Sequence, residues 1–155
     1  DPSPGRVLAA LNRTLRDLSD RRMFVTAACV LLDGGSRRMQ VATAGHPPIL
    51  LRSSEGVAEF RTPSLGLGMK EDVVFDECEA PIGVGDVVLL YSDGLVERTD
   101  RKGEQYDLPR LRQALQIAPA HSVGPLLDTI LDDVTRFAGR RPQADDITVL
   151  AVRVA

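Results

Sequence analysis

The chain has 155 residues, enough for one domain whose hydrophobic core needs no disulfide or structural metal. Apolar residues make up 43% and charged residues 26% of the sequence, and this ordinary balance excludes a disordered chain. The net charge of −3 and the absence of tryptophan argue against nucleic-acid binding, which needs a basic face and aromatic side chains for stacking.

The N-terminal part of the sequence predicts a helix followed by a β-hairpin. Apolar residues at helical spacing predict an amphipathic helix over residues 4–19. Its apolar stripe is formed by Val7, Leu8, Leu11, Leu15 and Leu18. The apolar segment 23–33 then predicts a strand that has Met23 and Phe24 in the core, and residues 37–44 are its expected hairpin partner.

The rest of the chain predicts further strands, then two helices and a last strand. Short apolar segments predict strands at 49–52, 57–60, 72–78 and 85–92, and the glycine-rich segment 62–69 predicts a loop. Pro109 begins a short helix, and a longer helix starts after Ser122 and ends at Gly139. The last strand, 147–154, is apolar on both faces, which predicts a central position in a sheet. Because strands and helices are grouped separately, we expect an α+β fold with antiparallel sheets.

Acidic residues flank two of the predicted strands. Asp93 follows the strand 87–91, and Asp145 and Asp146 directly precede the strand 147–154. If these strands are antiparallel neighbours, the acidic groups meet at one end of the sheet, where carboxylate oxygens suit Mg²⁺ or Mn²⁺. The alternative is that these residues only form ordinary turns and loops.

Four segments, taken in order, resemble one known family. They are AGHPPILL (44–51), PSLGLG (63–68), GDVVLLYSDGLVE (85–97) and DDITVLAVR (145–153). Together they resemble the bacterial SpoIIE/RsbU-type PP2C phosphatases, which are metal-dependent protein serine/threonine phosphatases. The resemblance implies a single phosphatase domain over residues 1–155 with an α-β-β-α sandwich fold. It also implies that Asp93 and Asp145 are catalytic metal ligands for Mn²⁺ or Mg²⁺, with Asp146 supporting them or exchanging roles with Asp145.

The sequence departs from this family at its N-terminus. Family members carry an upstream Asp-Gly motif whose aspartate bridges two metal ions, and no such motif precedes the first helix here. The remaining Asp-Gly pair, Asp33-Gly34, lies in a predicted hairpin turn. We therefore expect an N-terminally incomplete domain with an incomplete two-metal site. The alternative function is a catalytically inactive binding or regulatory module.

The resemblance also implies partners. The expected substrate is a phosphorylated anti-anti-sigma protein of the STAS type in bacterial sigma-factor or stress signalling. Sensor domains of the PAS or GAF type are expected upstream in the parent chain, with the helix at 4–19 as a switch element. A truncated sandwich leaves sheet edges exposed, so a homodimer is a further expectation.

Other candidate residues have structural interpretations of comparable or greater weight. His46 lies between strands beside two prolines, which favours a structural role, and His121 is expected at the surface. The loop 63–68 either contacts a phosphorylated peptide or only turns the chain. The pair Arg140 and Arg141 either attracts an anionic substrate or interacts with the end of the preceding helix.

Cysteine content and hydropathy bear on the compartment. The two cysteines, Cys29 and Cys78, lie in apolar strand-like segments and are expected to be buried free thiols. No apolar run is long enough to span a membrane, and the first residues lack a signal-peptide pattern. We therefore expect a cytoplasmic protein.

Overall fold

The computed structural model describes residues 3–18 and 23–155. Its elements in chain order are α1 (Pro4–Leu18), β1 (Ala27–Asp33), β2 (Arg38–Ala44), β3 (Ile49–Ser53), β4 (Gly56–Phe60), β5 (Cys78–Pro81), β6 (Val87–Tyr91), α2 (Asp93–Val96), α3 (Asp107–Ile117), α4 (Val123–Ala138) and β7 (Val149–Arg153). They form two antiparallel sheets accompanied by helices, which confirms the predicted α+β class. The chain divides into two compact units, residues 1–49 with 60–82 and residues 50–59 with 83–155.

The first unit contains the sheet β1-β2-β5 with helix α1 packed on it. β1 and β2 form the predicted hairpin, in register from Ala27 opposite Ala44 to Asp33 opposite Arg38. At the turn, the Asp33 carboxylate accepts hydrogen bonds from the backbone N–H groups of Gly35 and Ser36. The hydrogen bond that the Ser36 hydroxyl donates to the same carboxylate (2.6 Å), followed by these backbone bonds, lowers the pKa of Asp33. The contacts are consistent with the turn role predicted for the Asp33-Gly34 pair.

Helix α1 buries only part of its predicted apolar stripe. Leu8 is 1% exposed and Leu15 packs against the same core, so these two members of the predicted stripe are confirmed. Val7, Leu11 and Leu18 are exposed, so the prediction was wrong for them, and Asn12, 2% exposed, lies on the buried face instead. The polar Asn12 is buried because its amide donates to the Lys70 carbonyl (3.0 Å) and accepts from Gly68 N–H (2.7 Å). A polar contact with the glycine-rich loop, rather than apolar spacing alone, therefore sets the rotation of α1.

Two predicted strand segments of this unit are irregular. Met23 and Phe24 precede β1 and are exposed, because their segment pairs with the glycine-rich loop through Val25 and Leu67 instead of extending the sheet. The predicted strand 72–78 is a strand only from Cys78 onward. Directly before this strand, the Glu77 side chain accepts a hydrogen bond from the Gly5 N–H of α1 (2.9 Å).

The second unit contains the sheet β4-β3-β6-β7 and the remaining helices. Its core is formed by Leu50, Val87, Leu89, Tyr91, Leu95, Tyr106, Leu111, Ala114, Leu115, Ala118, Leu126, Ile130 and Val134. The prediction that the last strand is central was wrong, because β7 is an edge strand paired with β6. Val149 and Ala151 pack against the core, while Leu150 on the opposite face is 55% exposed.

Helices α3 and α4 contact one another beside this sheet. α3 begins at Asp107, slightly before the predicted start at Pro109, and α4 ends as predicted at Gly139, which adopts a positive φ of 61°. Tyr106 is fully buried, and its hydroxyl donates to the Asp133 carboxylate at 2.6 Å. Burial and this carboxylate raise the pKa of Tyr106, so its ring is a neutral anchor for the residues before α3.

Both cysteines are free thiols and are only partly buried. Burial raises the pKa of Cys29 and of Cys78, and so favours the protonated thiols. Within residues 3–18 and 23–155, no helix combines the length and the apolar character needed to cross a bilayer.

Replacing Asn12 tests the contact between α1 and the glycine-rich loop. We expect Asn12→Leu to lower the free energy of unfolding by about 2–3 kcal/mol, because Gly68 N–H loses its acceptor in a buried position. Chemical denaturation measures this change. Arg13→Gln, an exposed control on the same helix, should shift it by less than about 0.5 kcal/mol. Equal stability of the Asn12 variant and the control would contradict this role.

Candidate functional site

The pairing of β6 with β7 brings the acidic residues to one end of the sheet. The strands are antiparallel, with Tyr91 at the end of β6 opposite Val149 at the start of β7. The ladder continues past the strands, because Ser92 N–H donates to the Thr148 carbonyl at 2.9 Å. The predicted antiparallel arrangement is therefore confirmed, and Asp93 leaves β6 where the segment 145–148 enters β7.

The Ser92 side chain fixes this junction further. Its hydroxyl donates to the Asp146 carbonyl at 3.1 Å and accepts a hydrogen bond from Thr148 N–H at 2.9 Å. One serine thus satisfies two backbone groups of the segment that carries both later aspartates. Sequence reasoning did not single out Ser92, although its position directly before Asp93 was a usable signal.

Gly94 allows the two segments to come close together. A Cβ atom placed on Gly94 would lie 2.4 Å from the Asp146 carbonyl oxygen and 3.4 Å from the Asp145 Cβ. An Asp-Gly pair often forms a simple turn, but Asp93 and Gly94 begin the short helix α2. Leu95 in this helix is fully buried and so anchors the segment in the core of the second unit.

The carboxylates of Asp93 and Asp145 are exposed, and each has one oxygen engaged locally. Asp93 Oδ1 accepts from Gly94 N–H (2.9 Å), and Asp145 Oδ1 accepts from Asp146 N–H (2.7 Å). Their other oxygens accept no hydrogen bond from the described residues and remain available as ligands. Hard oxygen donors of this kind fit Mg²⁺ or Mn²⁺, which commonly bind through one or two carboxylates and keep several waters.

Among the described residues, few side chains that could bind a metal ion lie near one another. In the part of the chain that the structure describes, no group of three or more His, Cys, Asp or Glu side chains is placed to hold a metal ion. The carboxylate oxygens of Asp93 and Asp145 are of the type that a divalent cation prefers. The metal roles of these residues stay predictions.

The other candidate residues have local contacts. His46 Nδ1 lies 2.8 Å from the Pro47 carbonyl oxygen, in the first unit, and His121 is exposed. The loop 63–68 belongs to the same unit as His46, and its Gly68 is held by α1. Arg141 donates to the Asp100 carbonyl at 3.0 Å. Arg141 therefore joins two loops of the protein, a structural role that neither sequence interpretation of this residue included.

Arg98 is a second residue that sequence reasoning missed. Its guanidinium donates to the carbonyls of Arg141 and Pro142, both at 2.5 Å. Arg98 therefore contacts the chain on the N-terminal side of Asp145, whereas Ser92 contacts it on the C-terminal side, at Asp146 and Thr148. Nothing in the local sequence pattern distinguishes Arg98 from the other arginines.

Comparison with known proteins agrees with this fold. The chain matches the family described as Stage II sporulation protein E (SpoIIE) over residues 1–155. It is 24% identical over 152 residues to the phosphoserine phosphatase RsbU of Bacillus subtilis (strain 168), covering 97% of this chain and 45% of RsbU. The chain thus spans less than half the length of that relative.

Solved structures show the same architecture. The SiaA-PP2C domain of Pseudomonas aeruginosa superposes with a TM-score of 0.84 at 22% identity, over 99% of this chain and 61% of that chain. The Mn-presoaked phosphatase domain of SpoIIE from Bacillus subtilis gives a TM-score of 0.70 at 17% identity, over 96% of this chain and 64% of that chain. These similarities show that the chain has a PP2C fold.

Replacing Gly94 tests the close approach between the start of α2 and the residues Asp145 and Asp146. We expect Gly94→Ala to lower the free energy of unfolding by about 1–3 kcal/mol, because its Cβ would displace the Asp146 carbonyl. It should also weaken Mn²⁺ binding measured by calorimetry. Gly124→Ala is the matched control, because nothing lies within 4 Å of its added Cβ. A Gly94 variant with the stability and Mn²⁺ affinity of this control would contradict the proposed approach.

Proposed function

This chain belongs to the Stage II sporulation protein E family, and on that premise we propose that it is the phosphatase domain of a protein serine/threonine phosphatase. The proposed reaction is metal-dependent hydrolysis of phosphoserine or phosphothreonine on a regulatory protein. The observation that carries the proposal is the β6–β7 junction, where Ser92 and Gly94 hold the segment of Asp145 against that of Asp93. The name of RsbU, a phosphoserine phosphatase, supports the same reaction class.

In this proposal, Asp93 and Asp145 hold Mn²⁺ or Mg²⁺. When bound, such an ion supplies Lewis-acid polarisation of a phosphoryl oxygen and lowers the pKa of a water nucleophile. The protein keeps the two carboxylates exposed, each with one oxygen free of hydrogen bonds to the described residues. The Ser92 side chain bonds only backbone groups of residues 146–148, so it positions this segment without occupying a carboxylate oxygen. Gly94 leaves room for the same segment, and its N–H engages only one of the two Asp93 oxygens.

The proposed substrate is a phosphorylated anti-anti-sigma protein of the STAS type, which would place the reaction in sigma-factor regulation. Support for this comes from the likeness to RsbU and from the family resemblance. We also propose that α1 acts as a switch element for sensor domains in a longer protein. The hydrogen bonds of Asn12 with Gly68 and Lys70 support this proposal, because they couple the helix directly to another segment of the first unit.

Replacing the aspartates tests the proposed reaction. We expect Asp93→Asn and Asp145→Asn each to reduce Mn²⁺-dependent phosphate release from a phosphoserine protein by roughly 100-fold or more, because a lost ligand costs more than a lost supporting contact. Asp146→Asn should cost no more than about tenfold, since the contacts that Asp146 makes here run through its backbone and survive the substitution. The assay measures phosphate release with and without a chelator.

Asp128→Asn is the matched control for this assay, because Asp128 is exposed on α4 and its side chain makes no hydrogen bond or ion pair with the described residues. It should retain full activity. Unchanged activity in the Asp93 variant would remove that residue from the site and contradict the proposal.

The second candidate function is a module that binds the phosphoprotein without hydrolysing it. The small donor set favours this alternative, since no three-ligand cluster occurs among the described residues. Phosphoprotein binding that persists in Mn²⁺ without phosphate release would identify the chain as such a module. Metal-dependent release, lost in the Asp93 variant, would identify it as an enzyme.

A further inference from the structure

We propose that Arg98 is a positioning residue for the segment that carries Asp145. Arg98 contacts neither carboxylate, and it acts through the backbone of residues 141–142. The inference rests on the proposed function, because the residue that Arg98 would position, Asp145, is a proposed metal ligand of that site. It goes further by naming a residue that no sequence motif identifies.

The backbone of Arg98 is anchored in the core of the second unit. Tyr106 is fully buried, and its N–H donates to the Arg98 carbonyl at 2.7 Å. Tyr106 is itself held by its hydroxyl bond to Asp133 and by edge-on packing against Phe137. The base of the Arg98 side chain therefore occupies a fixed position.

The guanidinium of Arg98 holds two consecutive carbonyl groups. Nη2 donates to the Arg141 carbonyl and Nη1 donates to the Pro142 carbonyl, each at 2.5 Å. Two donors in the planar fork of an arginine fix orientation as well as distance, which a lysine cannot reproduce. Hydrogen bonds from a charged donor are also stronger than neutral ones.

A reciprocal contact strengthens this connection. Arg141 Nη1 donates to the carbonyl of Asp100, which lies in the same loop as Arg98. The loop that follows α2 and the loop that follows α4 are therefore joined by two arginine side chains, one from each loop. Arg140, the neighbour of Arg141, makes no hydrogen bond or ion pair with the described residues.

These contacts hold one side of the acidic segment, and Ser92 holds the other. Arg98 fixes residues 141–142, and the Ser92 hydroxyl fixes Asp146 and Thr148. Asp145 lies between these anchors, and its own side chain bonds only to the next N–H group within the described residues. With the backbone held before and after it, Asp145 stays next to Gly94, and releasing one of these contacts would let its carboxylate move.

Hydrogen exchange in the metal-free chain and Mn²⁺ titration test this role. We expect Arg98→Gln to raise amide exchange in residues 143–148 about tenfold, in line with the loss of charged hydrogen bonds, and to weaken Mn²⁺ binding about tenfold. Arg98→Lys keeps the positive charge but not the two guanidinium donors, so its exchange rates and Mn²⁺ affinity should lie between those of the wild type and Arg98→Gln. Arg140→Gln is the matched control and should match the wild type in both measurements. Exchange in the buried strand β6 reports whether each variant remains folded.

The outcomes separate this inference from the proposed function. Wild-type exchange and Mn²⁺ affinity in Arg98→Gln would overturn the inference. Faster exchange with unchanged Mn²⁺ affinity would also overturn it, because Arg98 would then only stabilise the loop. If Asp93→Asn weakens Mn²⁺ binding while Arg98→Gln does not, the inference alone fails. If Asp93→Asn and Asp145→Asn both leave Mn²⁺ binding unchanged, the proposed site itself fails.

Discussion

The register between β6 and β7 determines where each acidic group of the candidate site lies. Tyr91 opposes Val149, and the ladder extends to the bond between Ser92 and Thr148. Side chains alternate between the faces of a strand, so a slip of one residue would move Asp93 relative to the segment of Asp145. Burial of Val87 and Leu89 in the core opposes such a slip.

The residues that hold the acidic segment contact its backbone and leave its carboxylates free. Ser92 bonds the Asp146 carbonyl, Gly94 leaves room for that same carbonyl, and Arg98 bonds two carbonyls before Asp145. A site built in this way separates positioning from ligation. Carboxylates without bonds to neighbouring side chains can turn their oxygens toward a cation at little cost, provided that the backbone beneath them is fixed.

Sequence patterns predicted the elements that have strong periodicity or clear ends, such as the β1–β2 hairpin and helix α4. They failed where a contact distant in sequence overrides local preference. The rotation of α1 follows the hydrogen bonds of Asn12 to a loop more than fifty positions away, and β7 is an edge strand although both of its faces are apolar. The acidic pair could be foreseen because strand direction alone brings it together. Ser92 had one sequence signal, its position directly before Asp93, whereas Arg98 acts through backbone groups that leave no sequence pattern.

The central claim is that one cation site joins the end of β6 to the start of β7. Nuclear magnetic resonance of the isotopically labelled chain with substoichiometric Mn²⁺ tests it most directly, because the paramagnetic ion broadens nearby amide signals. The account predicts that signals from residues 93–95 and 145–148 lose intensity together and before all others. Broadening of only one of these segments, or of a different region first, would contradict it.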